Sequence, residues 1–243
     1  MSGEASDPGS RVGSAAASGD GSDAGQLGRD LSRREMGGAL AGLAVVFGTL
    51  AVFDLLQGGP EQLSTTGRWL GDAVKWAQTG AVLLILRYGQ GKPVSWIGIE
   101  VPRWKDLGLA VLTGVAAVLA GSVLAGALLG ALGTEPDLST LTFLRSLPFL
   151  QKVFVVVTAG ITEELLYRAY AIEAIEAVTG STTLAVVVST AVFVGLHVPY
   201  WGLATGVGQA LSALVLAGAY VWRRNLAVPA GAHILVDALG VFT

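Results

Sequence analysis

From residue 31 onward the chain alternates long apolar runs with short polar breaks. No charged residue occurs from Leu107 to Gly133, from Ala177 to Leu196, or from Trp201 to Trp222. Each run meets or approaches the roughly 20 residues a helix needs to cross a hydrocarbon layer. The pattern predicts an all-α, polytopic transmembrane helix bundle of about seven spans, at 36–56, 69–88, 107–133, 147–172, 181–199, 202–222 and 225–243. Residues 1–30 carry almost no large apolar side chain and lack the apolar core of a signal peptide, so they read as a disordered polar tail. Trp69, Trp76, Trp96, Trp104, Trp201 and Trp222 fall near span ends, as interfacial aromatics should, and Lys75 lies where a long side chain can snorkel to the interface. Gly38 and Gly42, Gly126 and Gly130, and Gly202 and Gly206 are spaced to let helix backbones approach.

Basic residues set an orientation. Arg29, Arg33 and Arg34 precede span one; Arg87, Lys92, Arg103 and Lys105 separate spans two and three; Arg223 and Arg224 separate spans six and seven. Seven alternating crossings put all three groups on one side, predicting a multi-pass cell-membrane protein with its N-terminus in the cytoplasm. The opposite loops hold Arg68, Arg145 and Lys152 beside Glu135 and Asp137.

Composition agrees with a lipid solvent: hydrophobic residues are 52% of the chain and charged residues 14%, against about a quarter charged in soluble domains. Cysteine is absent, which removes disulfides, thiolate metal sites and cysteine nucleophiles. No clustered Lys/Arg with aromatics points to nucleic acid.

Charges inside apolar spans are costly and mark function by default. They are Glu163, Glu164 and Arg168 in "ITEELLYRAY", His197 ending "LAVVVSTAVFVGLH", and His233 and Asp237 in "AGAHILVDALG". Gly180 is the natural turn between the fourth and fifth spans and lies midway between positions 163 and 197. Residues equidistant from a hairpin turn share a height, here about 25 Å from it, so Glu163 and His197 can face one another. His233 and Asp237 share a helix face. Plainer readings exist for each: Glu164 and Arg168 neutralising each other, Glu173 and Glu176 forming a solvated face, a lone histidine hydrogen-bonded in a core, and His233–Asp237 as a local bond. All would have to hold together on three helices at matching depth.

A carboxylate beside a neutral imidazole is a water-activating pair, and a second imidazole can donate to a developing oxyanion. The same set also fits zinc held by two histidines and a carboxylate, His197, His233 and Asp237, with a glutamate as base. It is not the HExxH pattern.

"EELLYR" (163–168), "FVGLH" (193–197) and "HILVD" (233–237) resemble, in order, the EExxxR, FxxxH and HxxxN/D motifs of the CPBP intramembrane proteases, the ABI/CAAX-protease-like group related to type II CAAX prenyl endopeptidase. "VSWIGIEVPRWKDLGL" looks like the connector that often precedes that family's core, and the resemblance spans about residues 90–243. It implies proteolysis within the membrane: Glu163 with His197 activating water, His233 with Asp237 stabilising the oxyanion, Glu164 and Arg168 shaping the site. Asp237 departs from the Asn of the eukaryotic-type enzymes, and an ionised Asp cannot donate to an oxyanion. Although the group is called metalloprotease-like, the reading favours no obligatory metal, with zinc as the cofactor if there is one.

The expected organisation is a tail (1–30), N-terminal transmembrane helices with a cytoplasmic connector (31–106), and a protease core (107–243). The expected function is an intramembrane endopeptidase acting on a peptide or protein substrate, CAAX-like or other, at the lipid bilayer, with no nucleic-acid partner. The competing readings are a proton- or ion-coupled transporter and a non-catalytic immunity or regulatory protein of the same fold.

Overall fold

The computed structural model describes residues 31–57 and 63–243; the expected tail lies outside the described residues. Every regular element among them is helical. They are α1 (Arg33–Gln57), α2 (Thr65–Leu84), α3 (Trp104–Val118), α4 (Ala125–Ala131), α5 (Ser139–Ser146), α6 (Phe149–Glu163), α7 (Ala171–Thr179), α8 (Thr182–Arg223) and α9 (Ala227–Phe242). The expected apolar segments are all helical, but they do not form seven separate helices. Segments five and six form α8, whose rod is interrupted at Gly202 (φ 74°, ψ 158°), three residues after Pro199 removes a backbone donor. α3 and α4 are one segment joined through a widened turn, Leu119–Leu124, and α6 and α7 are another joined through Glu164–Tyr170. Sequence periodicity missed the short α5, and a tight turn at Val94–Ile97 inside the connector.

Among the described residues, two continuous helices are long and apolar enough to cross a membrane, Trp104–Ala131 and Thr182–Arg223; α9 is apolar but shorter. The first bares Leu107, Leu112, Val115, Leu119, Val123 and Leu124. A stripe of that size facing outward is an aggregation hazard in water and a natural surface in lipid.

α3 and α6 both pack on α9. A Cβ on Gly160 of α6 would lie 2.4 Å from Ile234 Cγ1, so only glycine permits the approach that sets Glu163 and Glu164 against His233. Of the three expected glycine pairs, Gly38 and Gly42 do meet neighbours, Gln90 and Tyr170, whereas Gly126 and Gly130 face open space. A close crossing that spacing did not suggest joins Gly121 to Gly208, where a Cβ on Gly208 would sit 2.5 Å from the Gly121 carbonyl oxygen. The connector folds back on the α8–α9 junction: the Leu226 N–H donates to the Gly98 carbonyl at 2.9 Å, and Gly98 has a φ of 71°.

Three sequence expectations need correction. Trp76 is in the middle of α2, not at its end, and donates from Nε1 to Thr158 Oγ1 at 3.1 Å. Glu173 and Glu176 are not a solvated face, because Arg224 reaches back from the end of α8 to both, at 2.5 and 2.7 Å. Lys75 does not run to an interface: it turns inward to Glu163. A long side chain follows the nearest carboxylate, and helix periodicity does not show where that carboxylate is.

Candidate active site

Gly180, at φ 70°, ends α7 and turns the chain into α8. The hairpin so formed sets Glu163 opposite His197, as equal distance from the turn requires, with Glu163 Oε2 3.9 Å from His197 Nε2. That separation is too long for a hydrogen bond. His197 Nδ1 lies 2.7 Å from the Phe193 carbonyl. A carbonyl only accepts, so Nδ1 carries the hydrogen and Nε2 presents its lone pair. Two acceptors, one carboxylate oxygen and one imidazole nitrogen, therefore face each other across a gap.

The widened turn at Glu164–Tyr170 supplies the second half of the site; turns of this kind are frequent where function distorts a helix. Glu164 is fully buried between Arg168 Nη1 at 2.8 Å and His233 Nδ1 at 2.7 Å, both on its Oε1. The expected Glu164–Arg168 pair is present, and it also holds an imidazole. His233 Nε2 lies 3.4 Å from Asp237 Oδ2. Because Glu164 is paired with a guanidinium and accepts from Nδ1, Nε2 donates only when the ring carries its second proton, between two carboxylates.

All six expected residues thus fall in one neighbourhood, contributed by α6 and its widened turn, α8 and α9. Two participants were not anticipated. Phe193 packs against three of them: its ring centroid is 4.3 Å from that of His197, 6.5 Å from that of His233 and 4.1 Å from the Arg168 Cζ. It was already in the quoted FVGLH motif, so the signal was present. Lys75 Nζ sits 2.7 Å from Glu163 Oε1; no spacing rule links positions 75 and 163.

A cavity of about 660 Å³ opens on this cluster, lined by Lys75, Glu163, His197, His233 and Asp237 and continuing past Trp201 and Gln209. It is large enough for several residues of an extended peptide and mostly apolar in its walls.

The chain's fit to a zinc ion is poor. Among the described residues no three His, Asp or Glu side chains converge as a ligand set. Of the three expected ligands, His233 has one ring nitrogen committed to Glu164 and the other directed at Asp237.

No curated protein and no solved structure matches the chain. One family model does match: residues 145–239, which contain Glu163, Glu164, Arg168, His197, His233 and Asp237, are similar to the family described as Rce1-like, type II CAAX prenyl endopeptidase Rce1-like, the group that the three motifs resemble.

Proposed function

We propose that the chain is an intramembrane endopeptidase that hydrolyses a peptide bond of a membrane-associated substrate with water activated by Glu163 and His197. The observation that carries this reading is the pair of acceptors 3.9 Å apart on the wall of a substrate-sized cavity. A water molecule on the cavity side of the pair, at hydrogen-bond distance from both, can donate one hydrogen to each. Glu163 Oε2 takes the proton as the water oxygen attacks the carbonyl carbon. His233 Nε2, as imidazolium, donates to the oxyanion, and Glu164 with Arg168 fixes the ring's angle. When the carbon–nitrogen bond breaks, the proton held by Glu163 passes to the leaving amine. Asp237 acts through His233 as a counter-charge, a role open to Asp and needing no donor hydrogen.

The bilayer placement follows the same reading: seven crossings, a cytoplasmic N-terminus, and residues 31–106 laid against a core at 107–243. Exposed leucines and valines along Trp104–Ala131 support burial of that helix in lipid.

The test is purification in detergent and cleavage of a peptide library, with and without a chelator, beside Glu163→Ala. Cleavage that disappears in Glu163→Ala, while the variant inserts and purifies normally, is the expected result. Cleavage persisting in that variant overturns the assignment.

A further inference from the structure

The residues that match the family begin at 145, yet the ion pair closest to the water-activating carboxylate comes from outside that stretch. We propose that Lys75 is a positioning residue for the reaction, holding one oxygen of Glu163 so that the other is presented to the gap beside His197. The inference rests on the hydrolytic reading above and adds a fourth contributing element, α2, to the site.

The geometry is specific. Lys75 Nζ reaches Glu163 Oε1 at 2.7 Å, while Oε2 faces His197 at 3.9 Å. With one oxygen restrained by an ammonium, the carboxylate cannot rotate freely and its second oxygen keeps one direction. The neighbouring residue steadies α2 in register: Trp76 donates to Thr158, five positions before Glu163, or about 7.5 Å along α6. Residues 75 and 76 thus grip α6 at two heights.

Charge points the same way. Asp72 faces this pocket from α2, His197 from α8, and His233 and Asp237 from α9, while Glu164 and Arg168 adjoin it on the widened turn. Arg168 is already committed to Glu164 at 2.8 Å. Among the described residues, Lys75 is therefore the one Lys or Arg within ion-pair distance of Glu163. Without it, Glu163 would share the pocket with Asp72 and Asp237 and have no cation of its own. A buried charge stripped of its partner loses far more than a surface pair does.

The experiment uses the full chain in detergent and a peptide that the unsubstituted protein cleaves. Lys75→Met should lower kcat by about 10- to 100-fold with KM changed less than about twofold, because the group acts on chemistry and not on substrate binding. Lys75→Arg, which keeps a cationic donor for Oε1, should recover most of the rate. Should Lys75→Met fail to fold, Lys75→Gln keeps a donor for Oε1 without the charge, and a loss in kcat of about tenfold is expected. Overturning results are a near-normal kcat in the neutral variants, an equal loss in Lys75→Arg, or a loss confined to KM. An unsubstituted chain that cleaves nothing, or Glu163→Ala that still cleaves, defeats the hydrolytic reading and this inference with it; the Lys75 outcomes defeat the inference alone.

Discussion

Two clusters of ion-paired side chains sit on the same α6–α8 hairpin, one buried around Glu163 and Glu164 and one part-exposed around Arg224, and their difference is instructive. At the lower end, Arg224 spans Glu173 and Glu176, Tyr220 donates to Glu173 at 2.9 Å, and Thr182 donates to Glu176 at 2.6 Å. Each of those carboxylates is engaged within the protein, and none of them lines the large cavity. At the upper end, Glu163 and His197 turn acceptors toward the cavity, and its wall also holds His233, whose Nε2 lies 3.4 Å from Asp237 Oδ2. Ion pairing between helices alone therefore does not mark a site. Charge whose hydrogen-bonding capacity is left unspent against a cavity does, since leaving it unspent costs stability that only a bound reactant recovers.

The largest effect that would break this contrast is at Glu163. Glu163→Gln keeps the shape and removes the base, so cleavage should fall by about 10³-fold or more, near 4 kcal/mol of transition-state stabilisation. Lys75 loses its counter-charge, so the thermal midpoint should also fall, by less than in the Arg168→Met variant below. Single-turnover assays on the purified pair check it, and a loss below tenfold would place the upper cluster beside the lower one as structure.

Arg168→Met comes next and affects folding. It strands Glu164, fully buried, with only His233 for a partner. Removing one member of a buried pair costs about 3–5 kcal/mol. Denaturant or thermal unfolding in detergent measures that cost, and destabilisation under about 1 kcal/mol would show that His233 alone satisfies the carboxylate.

Much of this site was legible before any coordinates. Glu163, Glu164, Arg168, His197, His233 and Asp237 stand out because ionisable groups inside apolar runs are rare for energetic reasons, and the Gly180 turn fixes which heights meet. Lys75 and Arg224 were not legible in the same way. Each is a long side chain near a helix turn, and its direction is decided by tertiary partners 88 and about 50 positions away. The widened turn at Glu164–Tyr170 was equally hidden, because all seven of its residues are buried and no polar face exists on which a phase shift would show. α5 escaped because eight residues in a polar stretch give too little repeat to detect. Segment boundaries, by contrast, came from apolar length, which lipid or core burial imposes directly.

A smaller perturbation sharpens the comparison by moving the upper cluster without touching its chemistry. Gly160→Ala puts a methyl group 2.4 Å from Ile234 Cγ1 and 3.0 Å from the Ile234 backbone nitrogen. α9 must shift or Ile234 must change rotamer, at about 1–3 kcal/mol. His233 is the preceding residue, so activity should drop by more than stability alone explains, in kcat more than in KM. Equal kcat at reduced stability would mean that the His233 position tolerates displacement of its helix.

The smallest expected effect lies in the lower cluster. Arg224 is more than a third exposed, with 37% of its side-chain surface accessible, so water already screens its two ion pairs. Arg224→Met should cost about 1 kcal/mol, or a fall in thermal midpoint of about 2–4 °C for a chain of this size. Glu173 keeps the Tyr220 hydroxyl and Glu176 keeps the Thr182 hydroxyl, so neither carboxylate is left bare. Because this cluster turns no free acceptor toward the cavity, peptide cleavage measured below the melting range should be unchanged. A variant that melts normally yet cleaves tenfold more slowly would show that the two ends of the hairpin are coupled, and that a fully satisfied ion network can still belong to the reaction.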